Sequence, residues 1–380
     1  MLLRSRASVF LRFNTFSSLA EQKLKPEDFF RTIVNDPKEH TINAAAKFYR
    51  MEPDVKKKLF SHGGFPKTYE KQLKTFGEAC IMVREPALEI IDHISKTDFS
   101  KPAIRYVLYG DNGVGKTITL AHMLHYGHSM GFLLVHVPWA PYWFKHPKES
   151  GNSTSQEGLL DIPLDAAAWL IHFKAQNMDL LTKLDLKCSK DYVWSKRETT
   201  PVGSKLIELI DHGINRVKFS SDAIAALIGE IKQQSTEGKL KTMVVIDGFN
   251  SFFYSQTMVL NDNKQAVAPE QITITQPFKE ITSYDWCNGV CILSVDKMGM
   301  LGWERESFLP RYLLGKEGFE HLDPFIPIKV DSYSEKEFES CLSYYVNRRW
   351  IQNVSEGFDK ELKFLSNKNP YDLMDRCKAL

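Results

Sequence analysis

The chain predicts an α/β fold: a mainly parallel sheet with helices on both faces, an N-terminal extension, and a small C-terminal helical domain. Three features carry that expectation. The apolar run Ala103–Tyr109 passes directly into Gly110-Asp111-Asn112-Gly113-Val114-Gly115-Lys116-Thr117, and an apolar-periodic helix follows through Leu120, Met123 and Leu124. Short continuous apolar runs recur at Phe132–Val137, Met243–Asp247, Val290–Val295 and Pro324–Val330, each of a length suited to one buried strand. Strand and helix patterns alternate, which favours parallel pairing through right-handed crossovers.

The glycine-rich stretch matches G-x-x-x-x-G-K-[ST], a phosphate-binding loop. Its glycines allow successive backbone N–H groups to turn inward around phosphate oxygens, and the following helix aims its positive N-terminal end at the same anion. Gly110, Asn112, Gly113, Val114, Gly115 and Ile118 are the expected lining of a nucleotide site. Lys116 is expected to reach the β- and γ-phosphates, and the Thr117 hydroxyl to complete a Mg²⁺ shell. Nucleotides bind at the carboxyl ends of such strands.

Length and composition set the frame. The 380 residues give room for one large α/β domain with appendages or for two domains, and 43% hydrophobic with 25% charged residues is ordinary for a globular chain. A net charge of +2 argues against a surface that coats nucleic acid throughout, while leaving local basic patches. No apolar run approaches the ~18–20 residues of a membrane span. The six cysteines lack zinc-site spacing and read as reduced thiols, so Mg²⁺ is the only metal expected.

In chain order, residues 1–20 hold Arg4, Arg6 and Arg12, several serines and no acid before Glu21. That pattern fits a mitochondrial presequence, the alternative being a basic tail without structure. Residues 21–80 have weak periodicity and read as an extension. Residues 81–330 form the expected nucleotide-binding domain. Within it, Pro86 suits the first turn of a helix over Ala87–Ile94. Trp139, Tyr142, Trp143 and Phe144 fit either a partner-binding surface or a satellite apolar cluster. Residues 145–203 look like an insertion with little strand character, containing a helix near Ala166–Phe173 and an aromatic-basic patch with Trp194, Lys196 and Arg197. Helices are expected at Leu206–Val217 and, capped by Ser221-Asp222, at Ala223–Gln233.

Asp247 ends a β-rich strand, where a second carboxylate is needed to hold Mg²⁺ or its water; an ordinary turn aspartate is the alternative. Ser294 ends another strand and faces either a γ-phosphate or solvent. Residues 331–380 are the expected C-terminal helical domain. They open on the capping box Ser334–Glu337, ahead of Phe338, Cys341, Leu342 and Tyr345, and Arg348 and Arg349 close that helix as candidate RNA or protein contacts. Two absences narrow the chemistry. Gly248 follows Asp247 where motor-type ATPases carry a water-activating glutamate, and no nearby acid is an obvious substitute, so turnover is expected to be slow or absent. No N-K-x-D motif identifies the base, and the pattern admits ATP as well as GTP.

Further motifs carry a resemblance. Met82-Val83-Arg84, Pro86-Ala87-Leu88-Glu89, Pro102-Ala103-Ile104-Arg105-Tyr106, Tyr192-Val193-Trp194, Leu313-Leu314-Gly315-Lys316-Glu317-Gly318-Phe319, Asp323-Pro324-Phe325-Ile326-Pro327 and Lys336–Cys341 together resemble the death-associated protein three family, P-loop proteins of the mitochondrial small ribosomal subunit. The resemblance covers roughly residues 70–380. It implies an AAA-like P-loop NTPase core, bound GTP or GDP, and neighbours among small-subunit ribosomal proteins and rRNA. It also implies proximity to the large subunit, a place on the ribosome in the mitochondrial matrix, and a link to apoptosis. Met82 and Val83 are the base contacts it places ahead of the core helix. A structural ribosomal protein with a held nucleotide is the expectation, and an active GTPase or ATPase switch the alternative.

Overall fold

The computed structural model describes residues 29–300 and 306–378. The presequence expected at residues 1–20 therefore lies outside the described residues.

The extension contributes β1 (Phe48–Met51), α1 (Pro53–Phe60), α2 (Lys67–Phe76) and β2 (Ala79–Met82), with β1 and β2 paired antiparallel. The central part then runs α3 (Glu85–Ser95), β3 (Ile104–Tyr109), α4 (Lys116–Ser129), β4 (Leu133–Val137), α5 (Pro141–Lys145), β5 (Gly151–Asn152), β6 (Leu160–Asp161), α6 (Pro163–Lys183), β7 (Tyr192–Ser195) and β8 (Glu198–Thr200). After them come α7 (Leu206–Asn215), α8 (Ser220–Thr236), β9 (Thr242–Ile246), α9 (Thr275–Ile281), β10 (Gly289–Ser294), α10 (Pro310–Leu322) and β11 (Ile326–Lys329). Three helices follow: α11 (Glu335–Asn347), α12 (Phe358–Ser366) and α13 (Pro370–Cys377).

Five strands form one parallel sheet in the order β11-β3-β10-β9-β4. The α/β class and the parallel sheet are thus as the sequence predicts. Its alternation of side chains builds two cores. Val107, Val244, Ile246, Cys291 and Leu293 face the layer that holds α6, α7 and α8. Tyr106, Leu108, Met243, Val245, Val290 and Ile292 face α3 and α4. Because β10 lies between β3 and β9, the loops after all three strands converge at one end of the sheet. A third core joins β1 and β2 to the C-terminal helices through Phe48, Phe76, Met82, Phe338, Tyr344 and Met374.

Several local expectations change. The helix expected at Ala166–Phe173 runs over 21 residues, because Trp169, Leu170 and Phe173 continue into Asn177 and Leu181 on its buried face. The region 145–203 contains two small antiparallel hairpins, β5–β6 and β7–β8. Helix α8 begins at Ser220 with Phe219 at the N-cap, so Ser221 and Asp222 lie in its first turn and do not cap it. Ser220 instead donates to the Gly213 carbonyl. The Ser334–Glu337 capping box forms as expected, with Ser334 Oγ accepting from Glu337 N and Glu337 Oε2 accepting from Ser334 N at 2.8 Å. Among the described residues no helix is long and apolar enough to cross a membrane.

Candidate nucleotide site

The loop between β3 and α4 is built on three glycines with positive φ, at 151° for Gly110, 76° for Gly113 and 101° for Gly115. Two of them also allow close approach. A Cβ on Gly110 would lie 2.2 Å from the Val330 carbonyl oxygen, and one on Gly113 would lie 2.6 Å from Asn369 Oδ1 and 2.7 Å from Tyr371 Cβ. Among the described residues the backbone N–H groups of Gly113, Val114, Gly115, Lys116 and Thr117 have no protein acceptor. These five donors at a helix N-terminus fit a polyphosphate.

Asp247 follows β9 and is buried. It accepts a hydrogen bond from the Thr117 hydroxyl at 2.6 Å and another from Ser294. Burial pushes its carboxyl up to about 6, although both hydroxyl donors and Lys116 act against that rise. A carboxylate and a hydroxyl side by side at the phosphate loop fit an octahedral Mg²⁺ that retains its waters. Ser294 faces neither solvent nor the cavity, which corrects both alternatives. It is fully buried, its oxygen also accepts from Gly248 N at 2.9 Å, and its role is to hold Asp247 in place.

Gly248 has φ of 74°, and a Cβ there would lie 2.6 Å from Pro141 Cδ and 3.1 Å from Trp139. The absence of glutamate at this position is therefore a packing requirement of the segment after β4. Another acid does approach the site: Asp296, two residues past β10, pairs with Lys116 at 2.8 Å and is held there as its counter-ion. Beside it Lys297 pairs with Asp111 at 3.0 Å. The Asp111 carboxyl is lowered by the Asn112 N–H and by Lys297.

Asp111, Lys116, Thr117, Asp247 and Asp296 line a cavity of about 1220 Å³, larger than the ~300–1,000 Å³ common for small-ligand pockets. Asn112, Gly113, Gly115, Lys116, Thr117, Ile118 and Asp247 all line it. Met82 does too, near Tyr69, Phe76 and Tyr345, so an aromatic arm extends from the polar loop. Val83 does not line it, being fully buried in the α3–α4 core. Val114 is buried as well and contributes its backbone.

The C-terminal helices close over this loop. Asn369 Nδ2 donates to the Asn112 carbonyl at 2.7 Å, and Tyr371 N donates to the Gly113 carbonyl at 3.1 Å. From the other side Arg84, buried, donates to the Val114 carbonyl at 2.6 Å, to the Asp331 carbonyl at 2.8 Å and to Glu337 at 2.8 Å. Its guanidinium also lies over the Tyr333 ring, 5.0 Å from the centroid. Sequence reasoning missed Asp296, Glu337 and Asn369 as parts of this site. The only local signals were an Asp-Lys pair just after a strand and an Asn-Pro helix start.

The basic patches lie apart from these groups. Lys196 and Arg197 are exposed at the β7–β8 turn. Trp194 is not available for base stacking on both faces, because Tyr192 and His212 stack against it at 6.0 and 4.9 Å. Arg348 is half-buried, 3.5 Å from Glu78, while Arg349 is exposed. The aromatic segment after β4 divides its roles. Phe144 packs in the core, Trp139 and Tyr142 line the cavity, and Trp143 does both.

Comparison with known proteins agrees with the motifs. The small ribosomal subunit protein mS29 of Bos taurus is 40% identical over 353 residues, covering 92% of this chain and 88% of the relative. The protein of the same name from Mus musculus is 38% identical over 359 residues, covering 94% and 91%. The family described as mitochondrial ribosomal death-associated protein 3 matches residues 81–376, which span the parallel sheet, the phosphate loop and the closing helices, and the chain belongs to that family.

Proposed function

We propose that the chain is a structural component of the mitochondrial small ribosomal subunit that holds a guanine nucleotide, GTP or GDP with Mg²⁺, and turns it over slowly or not at all. Its place is the mitochondrial matrix, and its partners are small-subunit ribosomal proteins and rRNA, with the large subunit across the interface. The names of its relatives support the ribosomal assignment.

One observation carries the nucleotide reading. The phosphate loop presents free backbone donors on one side while its carbonyls at Asn112, Gly113 and Val114 are held by Asn369, Tyr371 and Arg84. A polyphosphate in the loop would therefore brace the joint between the sheet and the C-terminal helices. Lys116 and the five N–H groups would bind its oxygens, and Thr117 and Asp247 would hold the metal, which supplies charge neutralisation at the phosphates. Met82 and the neighbouring aromatic rings offer a face for the base. Slow turnover is supported by Gly248, where packing leaves no room for a water-activating side chain.

The test is the identity and occupancy of nucleotide released by denaturing purified mitochondrial small subunits. Near-stoichiometric guanine nucleotide is expected, lost when Lys116 is replaced by alanine. Particles that contain the chain but release no nucleotide would refute the reading. Single-turnover hydrolysis that falls on Lys116→Ala and Asp247→Ala substitution would favour a switch over a clamp.

A further inference from the structure

The Lys116 ammonium has three protons and three acceptors. It donates to the Gly110 carbonyl at 2.9 Å, to the Asp111 carbonyl at 2.8 Å, and pairs with Asp296 Oδ2 at 2.8 Å. A phosphate oxygen gains a direct hydrogen bond from this nitrogen only if one acceptor leaves. Two belong to the loop backbone, and Gly110 is wedged against Val330. The third sits on a short side chain that can rotate. The group that yields is therefore Asp296.

We propose that Asp296 sets the affinity of the nucleotide site by competing with the terminal phosphates for Lys116. The inference rests on the nucleotide-binding reading above. Displaced, the carboxylate cannot retreat far. The backbone of Asp296 is clamped on both sides by the buried Asn250, which accepts from Asp296 N at 3.0 Å and donates to Asp296 O at 3.1 Å. Its Oδ1 is further tied to Met298 N at 2.7 Å. A negative charge so held beside the loop opposes each added phosphate, and the opposition grows with phosphate charge. Lys297, paired with Asp111, offsets this only from the outer side of the loop. Asp296 thus acts against a triphosphate more than against a diphosphate.

The experiment measures Kd for GTP and GDP with Mg²⁺ by equilibrium dialysis on the purified full chain and its D296N, D296E and K116A variants. The amide in D296N keeps an acceptor for Met298 N and removes the charge. D296N is expected to tighten GTP about tenfold, the scale of one charged hydrogen bond, and GDP by less. D296E should stay near the wild type, and K116A should lose both ligands. Wild-type binding with no gain in D296N overturns this proposal alone, as does unchanged affinity coupled to lost hydrolysis, which would make Asp296 a general base. Failure of both wild type and D296N to bind removes the nucleotide reading, and this proposal with it.

Discussion

Replacing Arg84 by methionine isolates the contact that joins the phosphate loop to the C-terminal helices. The guanidinium and the Glu337 carboxylate are each 9% exposed in their side chains, so the pair is effectively buried. Removing one partner leaves Glu337 with the Ser334 N–H as its remaining close donor and strips donors from the carbonyls of Val114 and Asp331. A broken buried ion pair costs about 3–5 kcal/mol, and the orphaned carbonyls keep the value toward the upper end. Arg84→Met is thus expected to destabilise the chain by about 5 kcal/mol in equilibrium urea denaturation. Glu337→Met should cost less, since Arg84 retains two carbonyl acceptors and the Tyr333 ring. In the double variant no charge is left unpaired, so its loss should fall at least ~1 kcal/mol short of the sum of the singles. A single-variant loss below ~1 kcal/mol, or additive losses, would refute the argument that this pair fastens the helices to the loop.

Two further outcomes follow from the site. The Asp247 carboxyl, raised by burial from its ordinary 3.8 to about 6, must ionise to hold Mg²⁺, so metal-dependent nucleotide affinity should fall about tenfold from pH 7 to pH 5. Without metal the sign reverses for folding. The native state binds the extra proton between about pH 4 and 6, so stability contributed by this group falls as pH rises through that window. An Asp247→Asn variant whose metal-dependent binding kept the same pH profile would show that another group is responsible. At Gly248 the positive φ and the contact with Pro141 make Gly248→Glu destabilising by roughly 2–4 kcal/mol, with no gain in hydrolysis. Faster single-turnover hydrolysis in this variant would show that the glutamate can be accommodated and that packing does not set the rate.

The local pattern of the chain determined the glycine-rich loop after β3, the five strands of the parallel sheet and the capping box at Ser334. Each rests on a short-range rule: glycines where φ is positive, an apolar run of strand length, and Ser and Glu three residues apart. Asp247 was legible for the same reason, as an acid ending a buried strand. What the sequence could not supply was the company these residues keep. Asp296 meets Lys116 because β10 lies between β3 and β9 in the sheet, and strand order is not written in the strands themselves. Arg84 reaches Glu337 across 253 residues, and Asn369 reaches Asn112 across 257, through packing of β1 and β2 against the last helices. Gly248 shows both sides. The sequence reveals the missing glutamate, but only the tertiary structure supplies a physical cause, the approach of Pro141 and Trp139 to a backbone already held at positive φ. Residues near in sequence take their conformation from local sterics and hydrogen bonding, whereas contacts across hundreds of residues are fixed by which apolar faces the whole chain can bury together.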